Sequence, residues 1–176
     1  MTHMTRTPLT SPDGPVVAGQ KTLRALVAIR RQKLLSHLYG RVVVCRSSFE
    51  AMSDILPEAP DWLSIEQDRP DQVLPPRVAG AGASDAATLR LALALPASLV
   101  LLDGPIKERA KLSFIKAEGT VSILVTAYRR GLLSAVPPMV KALQKLGHGD
   151  VLPPPEQLEA LRVALDELRE EGDVAK

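Results

Sequence analysis

Three acidic residues occupy positions from which carboxylates often reach a shared site. Glu50 and Asp103 each follow a short apolar run, and Asp85 stands at the head of an alanine-rich segment. Carboxylate oxygens are the ligands that hard cations such as Mg²⁺ and Mn²⁺ prefer. A cation held by them can activate water and clamp a phosphate. The three acids therefore predict a catalytic site for Mg²⁺ or Mn²⁺.

Each acid also has a purely structural interpretation. Glu50 and Asp85 are expected in first helical turns, where a carboxylate stabilises the helix dipole. Asp103 precedes Gly-Pro, and aspartate is common in such turns. Taken one at a time, the structural interpretation is favoured for each acid. Taken together, the three positions favour a site.

Other kinds of chemistry find little support. The glycines at residues 80–82 lack the lysine and the spacing of a phosphate-binding loop. The three histidines are far apart in the sequence, without metal-ligand spacing. The single cysteine, Cys45, excludes an internal disulfide, and after three valines it is expected to pack in the core.

The elements that position the acids are short buried strands alternating with helices. Strands are expected at residues 16–18, 41–45 and 98–102, and the loop-rich stretch 54–83 contains one more plausible strand at 62–65. This order predicts an α/β fold, with a mostly parallel central sheet between two layers of helices. In such folds the site lies at the carboxyl ends of the strands.

Net charge says little about partners. The chain has 22 Lys and Arg against 20 Asp and Glu, a formal charge of +2, so any basic surface has to be local. A phosphate-binding rim or a merely solvated face can be built from Arg30, Arg31, Lys33, Lys107, Arg109, Lys111 and Lys116. The chain has five aromatic residues, which disfavours recognition of single strands by base stacking. Without a secretory signal or an apolar stretch long enough to span a bilayer, we expect a cytoplasmic protein with no membrane partner.

Two segments resemble the PIN-like family of prokaryotic nucleases. They are LLDGPIKERAK, from Leu101, and EGTVSILVTAYRRGLL, from Glu118. The resemblance extends to residues 16–50 and to Ser84-Asp85-Ala86, which is similar to the Gly-Glu-Ala helix start of the family. It implies a three-layer α/β/α fold and a metal-dependent ribonuclease of the toxin class, held silent by a small antitoxin.

The resemblance also implies which residues form the site. Glu50, Asp85 and Asp103 fall on three of the family's metal-binding acids, while Gly19 replaces the fourth, an aspartate that ends the first strand. Gly104 stands where a second acid often follows. The upstream Asp13 is expected at the wrong end of the strand to compensate. Each lost carboxylate lowers metal affinity, so weak or absent metal binding is expected.

Basic residues near the strand ends complete the expected site. Lys21, Lys107 and Arg109 are candidates to contact a substrate phosphate, although a solvated surface position is the simpler interpretation of both lysines. Lys21 and Lys107 can alternatively neutralise the acids.

Two hypotheses remain open. The first is a toxin-class ribonuclease whose activity is weak or lost, and the second is a non-catalytic protein that binds RNA or a small antitoxin-like partner on the same scaffold. A homodimer is also plausible. The expected organisation is a flexible leader at 1–14, a PIN-like domain at 15–150, and a C-terminal helix and tail at 151–176 that pack on the domain or extend it. The leucines of that helix are expected to pack on its own core rather than on a partner.

Overall fold

The structure is a computed structural model that describes the backbone of residues 14–174 and the side chains of residues 14–172. Residues 1–13 of the expected leader, including Asp13, lie outside the described residues. Among the described residues, no helix combines the length and the apolar character needed to cross a membrane.

Five parallel strands form the sheet. They are β1 (Val16–Ala18), β2 (Val42–Cys45), β3 (Leu63–Glu66), β4 (Leu99–Leu101) and β5 (Ala117–Glu118). Their order across the sheet is β3-β2-β1-β4-β5, so β1 lies at the centre and pairs with β2 and β4. The carboxyl ends of all five strands meet at one edge, which we call the carboxyl edge.

Helices follow or separate the strands along the chain. They are α1 (Gln20–Ala28), α2 (Lys33–Tyr39), α3 (Arg46–Ala51), α4 (Ala83–Ala94), α5 (Pro105–Leu112), α6 (Thr120–Arg129), α7 (Pro137–Lys145) and α8 (Pro155–Val174). Short 3₁₀ helices lie at Pro76–Val78 and Gly149–Val151.

Two hydrophobic clusters cover the two faces of the sheet. Side chains of β1 alternate between them, because successive residues of a strand point to opposite faces. Ala18 packs in the cluster that holds Leu23 of α1 and Leu124 of α6. Val17 packs in the cluster that holds Leu89 of α4. The predicted three-layer α/β/α fold is confirmed.

Two local expectations were wrong. No strand was expected at residues 117–118, but they form β5, because the backbone N–H of Leu102 donates to the carbonyl of Glu118 at the edge of the sheet. Glu50 was expected in the first turn of its helix, but α3 already begins at Arg46. Glu50 is thus the fifth residue of that helix rather than a residue of its first turn, and it gains little from the helix dipole.

The C-terminal helix α8 packs on the domain through its leucines. Leu165 is buried in the cluster on the α1 and α6 side, and Leu161 packs against the same cluster. Further along, Leu168 is exposed. Two of the four leucines, Leu161 and Leu165, therefore contribute to the core.

Candidate active site at the carboxyl edge

Asp103 is the central residue of the carboxyl edge. It lies two residues beyond the end of β4 and is only 2% exposed. Its Oδ2 accepts hydrogen bonds from the hydroxyls of Thr22 and Thr120, each at 2.6 Å. The backbone N–H of Thr120 donates to Oδ1 at 3.0 Å. Burying an ionised carboxylate is costly unless hydrogen bonds compensate for its lost hydration, and here they do.

The two threonines explain how Asp103 joins three elements. Thr22 lies in the first turn of α1, and Thr120 is the first residue of α6. Asp103 therefore places its negative charge at the start of α6, where free N–H groups and the helix dipole favour an anion. Sequence reasoning missed both threonines. For Thr120 the sequence did offer a signal, the pair Gly119-Thr120 at the start of an apolar helix. The free N–H groups at such a start need a hydrogen-bond acceptor.

Asp85 lies close enough to Asp103 for the two carboxylates to interact. It is half-buried in the first turn of α4. Burial raises the pKa of Asp85 above its ordinary value, the nearby Lys21 ammonium opposes the rise, and the Asp103 carboxylate adds to it. Asp85, Lys21 and Asp103 consequently form one electrostatic group.

Two glycines leave room for the ammonium groups of Lys21 and Lys107 to approach the carboxylates of Asp85 and Asp103. A Cβ atom placed on Gly104 would lie 3.4 Å from the Nζ of Lys21, and the backbone there has a φ of +86°, which favours glycine. A Cβ atom placed on Gly119 would lie 3.2 Å from the Nζ of Lys107 and 2.6 Å from Oδ1 of Asp103. Ammonium groups thus lie close to both glycines.

The side chain of Glu50 is paired with an arginine of its own helix rather than with the group formed by Asp85, Lys21 and Asp103. Its side chain is 66% exposed, and Oε1 lies 3.9 Å from the Nη1 of Arg46, one helical turn earlier in α3. Arg24 of α1 reaches the end of the same helix, where it donates to the carbonyl of Ala51 and pairs with Asp54. The acid expected to complete the metal site is thus paired with a cation.

Gly19 is buried where α1 begins. A Cβ atom there would lie 3.0 Å from the carbonyl oxygen of Leu101 and 3.3 Å from a methyl of Leu102. It would also lie 3.8 Å from the side chain of Thr88, one turn after Asp85 in α4. An aspartate at this position would point to the side of the sheet that carries Asp85, but it would crowd the β4 backbone.

The carboxyl edge fits a divalent cation poorly. Across the described part of the chain, no three His, Cys, Asp or Glu side chains are grouped so that they could hold a metal ion. Oδ2 of Asp103 already accepts two hydroxyl donors. Mg²⁺ and Mn²⁺ need several oxygen ligands, and the nearby Lys21 ammonium repels a second cation.

A groove of about 730 Å³ opens beside Asp103. The start of α5 and one face of α6 line one side of it, and the other side comes from residues 150–161. Lys107 lines this groove, whereas Lys21 lies 3.8 Å from the carboxylate of Asp150. Arg109 is exposed on α5, two residues and therefore about half a turn around the helix from Lys107. The structure thus brings two of the three predicted phosphate-binding residues to the carboxyl edge.

Comparison with known proteins identifies the class to which this fold and site belong. The family model described as a PIN domain matches residues 15–149, which is well over half of the chain. The chain belongs to the PIN domain family and is nuclease-like. Neither the curated proteins nor the solved structures contain a significant match to it.

Proposed function

We propose that this chain is a PIN-domain protein that binds RNA at the carboxyl edge and hydrolyses it weakly or not at all. One observation carries the proposal: the Nζ of Lys21 lies 3.4 Å from the Cβ position of Gly104, where the family resemblance implies a second acid. An ammonium at that position weakens cation binding and attracts a phosphate.

The remaining acids support the same proposal. Asp85 and Asp103 share the electrostatic group with Lys21, while Glu50 pairs with Arg46. Any Mg²⁺ or Mn²⁺ held at this edge has two carboxylates rather than the four that the family resemblance implies. Each missing carboxylate removes negative charge and ligand oxygens, so such a cation binds weakly.

The lysines supply the proposed contact with RNA. Lys107 lines the groove beside Asp103, and within residues 14–174 the ion pair of Lys21 is with the exposed Asp150, at 3.8 Å. Exposed ion pairs of this kind contribute about 0–1 kcal/mol, so a phosphate can displace the carboxylate at little cost. Contacts to phosphates fix the position of a strand without reading its sequence.

A second candidate is binding of a small antitoxin-like protein, as expected for descent from toxins of toxin-antitoxin systems. It is favoured by an apolar groove of about 350 Å³ between α7 and α8, which Val140 and Leu158 help to line. An apolar groove of that kind suits the apolar face of a partner helix.

The test is binding of a fluorescein-labelled oligouridylate of about twelve nucleotides, followed by anisotropy over a range of salt concentrations. Lys21→Ala and Lys107→Ala should each weaken binding and lower the slope of log K against log salt by about one. The matched control is Lys141→Ala, an exposed lysine on α7, which should behave as the parent. Equal binding by all four proteins would contradict the proposed phosphate contacts.

A further inference from the structure

Phe114 departs from two rules of local structure. Its φ is +61°, a left-handed conformation that residues with a Cβ atom rarely adopt, and its side chain is 100% exposed. It directly follows the C-cap of α5, where its N–H donates to the carbonyl of Lys111 and the N–H of Ile115 donates to that of Ala110, both at 3.0 Å. These two bonds form the helix-ending motif that usually places glycine at this position.

The same chain shows how such a helix end is built without strain. Helix α6 ends in the same pair of bonds with Gly131 at the equivalent position, and α7 does so with Gly147. Both glycines have positive φ, of +73° and +83°. Phenylalanine at the end of α5 therefore carries backbone strain, and with a fully exposed ring it gains no burial in return.

Cations connect Phe114 with the carboxyl edge. Lys107 and Lys111 lie one turn apart on one face of α5, and Phe114 lies two residues beyond the end of that helix, so the three follow one another along α5 as a short row. Lys107 lies in the groove beside Asp103 at one end of this row. At the other end Arg77 donates to the carbonyl of Leu112 at 3.3 Å, which holds its guanidinium beside Phe114.

We propose that this row, Lys107, Lys111 and Phe114, guides an RNA strand away from the carboxyl edge, with one base stacked on the ring of Phe114. The inference rests on the proposed function, because it extends the same RNA site. The row joins cations to an exposed aromatic face, and RNA is the polyanion whose planar bases stack on such a face. A second copy of this chain is a poorer occupant of this surface than RNA, because it would place the same cations opposite one another. The few aromatic residues of the sequence disfavoured stacking, but a single exposed ring suffices for one base.

The experiment measures binding of the labelled oligouridylate by three variants of Phe114. Phe114→Leu keeps an apolar side chain but removes the ring, and should weaken binding by about five- to a hundredfold without changing the salt slope. Phe114→Trp keeps an aromatic face and should bind within about twofold of the parent. Phe114→Gly should weaken binding to a similar degree while raising Tm, because it relieves the left-handed strain.

A rise in Tm together with a loss of binding cannot come from damage to the fold. The control is Val163→Ala on α8, another exposed apolar residue, which should leave binding unchanged. Parental binding by Phe114→Leu and Phe114→Gly would overturn the inference and leave the contacts of Lys21 and Lys107 intact. Parental binding by Phe114→Leu with weakened binding by Phe114→Gly would replace stacking by a simple apolar contact. Absence of binding by the parent would overturn the proposed function itself.

Discussion

Thr120 donates two hydrogen bonds to the carboxylate of Asp103, one from its backbone N–H and one from its hydroxyl. The hydroxyl of Thr22 adds a third. Asp103 is therefore a structural acceptor as well as a candidate ligand, and its removal leaves buried donors without a partner. We expect Asp103→Ala to lower the free energy of unfolding by about 2–4 kcal/mol, measured by urea denaturation.

The control for Asp103 is Asp150→Ala, which removes a carboxylate that lies 3.8 Å from Lys21 and is more than half exposed. Its effect should stay within about 0.5 kcal/mol. Equal effects of the two substitutions would show that the hydrogen bonds of Asp103 contribute little to stability.

Gly119 is required by the close approach of Asp103 to the backbone. A Cβ atom there would lie 2.6 Å from Oδ1 of Asp103 and 3.2 Å from the carbonyl oxygen of Leu102. Gly119→Ala should thus cost about 1–3 kcal/mol through overpacking, whereas Gly80→Ala, with open space around it, should change stability by less than about 0.5 kcal/mol. Thermal unfolding of both variants measures this difference. An unchanged Tm for Gly119→Ala would mean that Asp103 and Leu102 do not crowd this position.

The pKa of Asp85 leads to a stability difference that depends on pH. Burial raises this pKa above the ordinary value of 3.8, so the native state holds the proton more tightly than the unfolded chain does. The contribution of this group to the free energy of unfolding then falls as pH rises through 3.8 toward the higher native value. Asp85→Asn should be more stable than the parent at neutral pH, and the difference should vanish in acid. Urea denaturation across this pH range measures it, and a parent that is the more stable protein at neutral pH would refute the assignment.

Glu50 tests whether the third acid takes part in the site. Its exposed pair with Arg46 contributes about 0.3–0.5 kcal/mol at most. Glu50→Gln should accordingly leave stability and RNA binding near those of the parent. A tenfold change in RNA affinity would show that Glu50 turns toward the carboxyl edge when RNA is bound.

The sequence was sufficient for the layers and most of the strands, because short apolar runs separated by helical spacing leave few alternatives. It missed β5, whose two residues carry little pattern and are strand only because they pair with β4. The resemblance pointed to Asp85 and Asp103, and the structure places these two in one electrostatic group. The pairing of Glu50 with Arg46 and the exposure of Phe114 depend on side-chain directions, which spacing does not determine.

Cleavage of the labelled oligouridylate in the presence of Mn²⁺ tests the central claim most directly, with the parent, Asp85→Asn and Gly19→Asp measured beside one another. We expect binding by the parent with weak or no metal-dependent cleavage. Gly19→Asp should not raise this cleavage, because its Cβ atom crowds the carbonyl of Leu101 and because Glu50 remains paired with Arg46. Rapid, multiple-turnover metal-dependent cleavage by the parent that disappears in Asp85→Asn would contradict this account and establish a working nuclease.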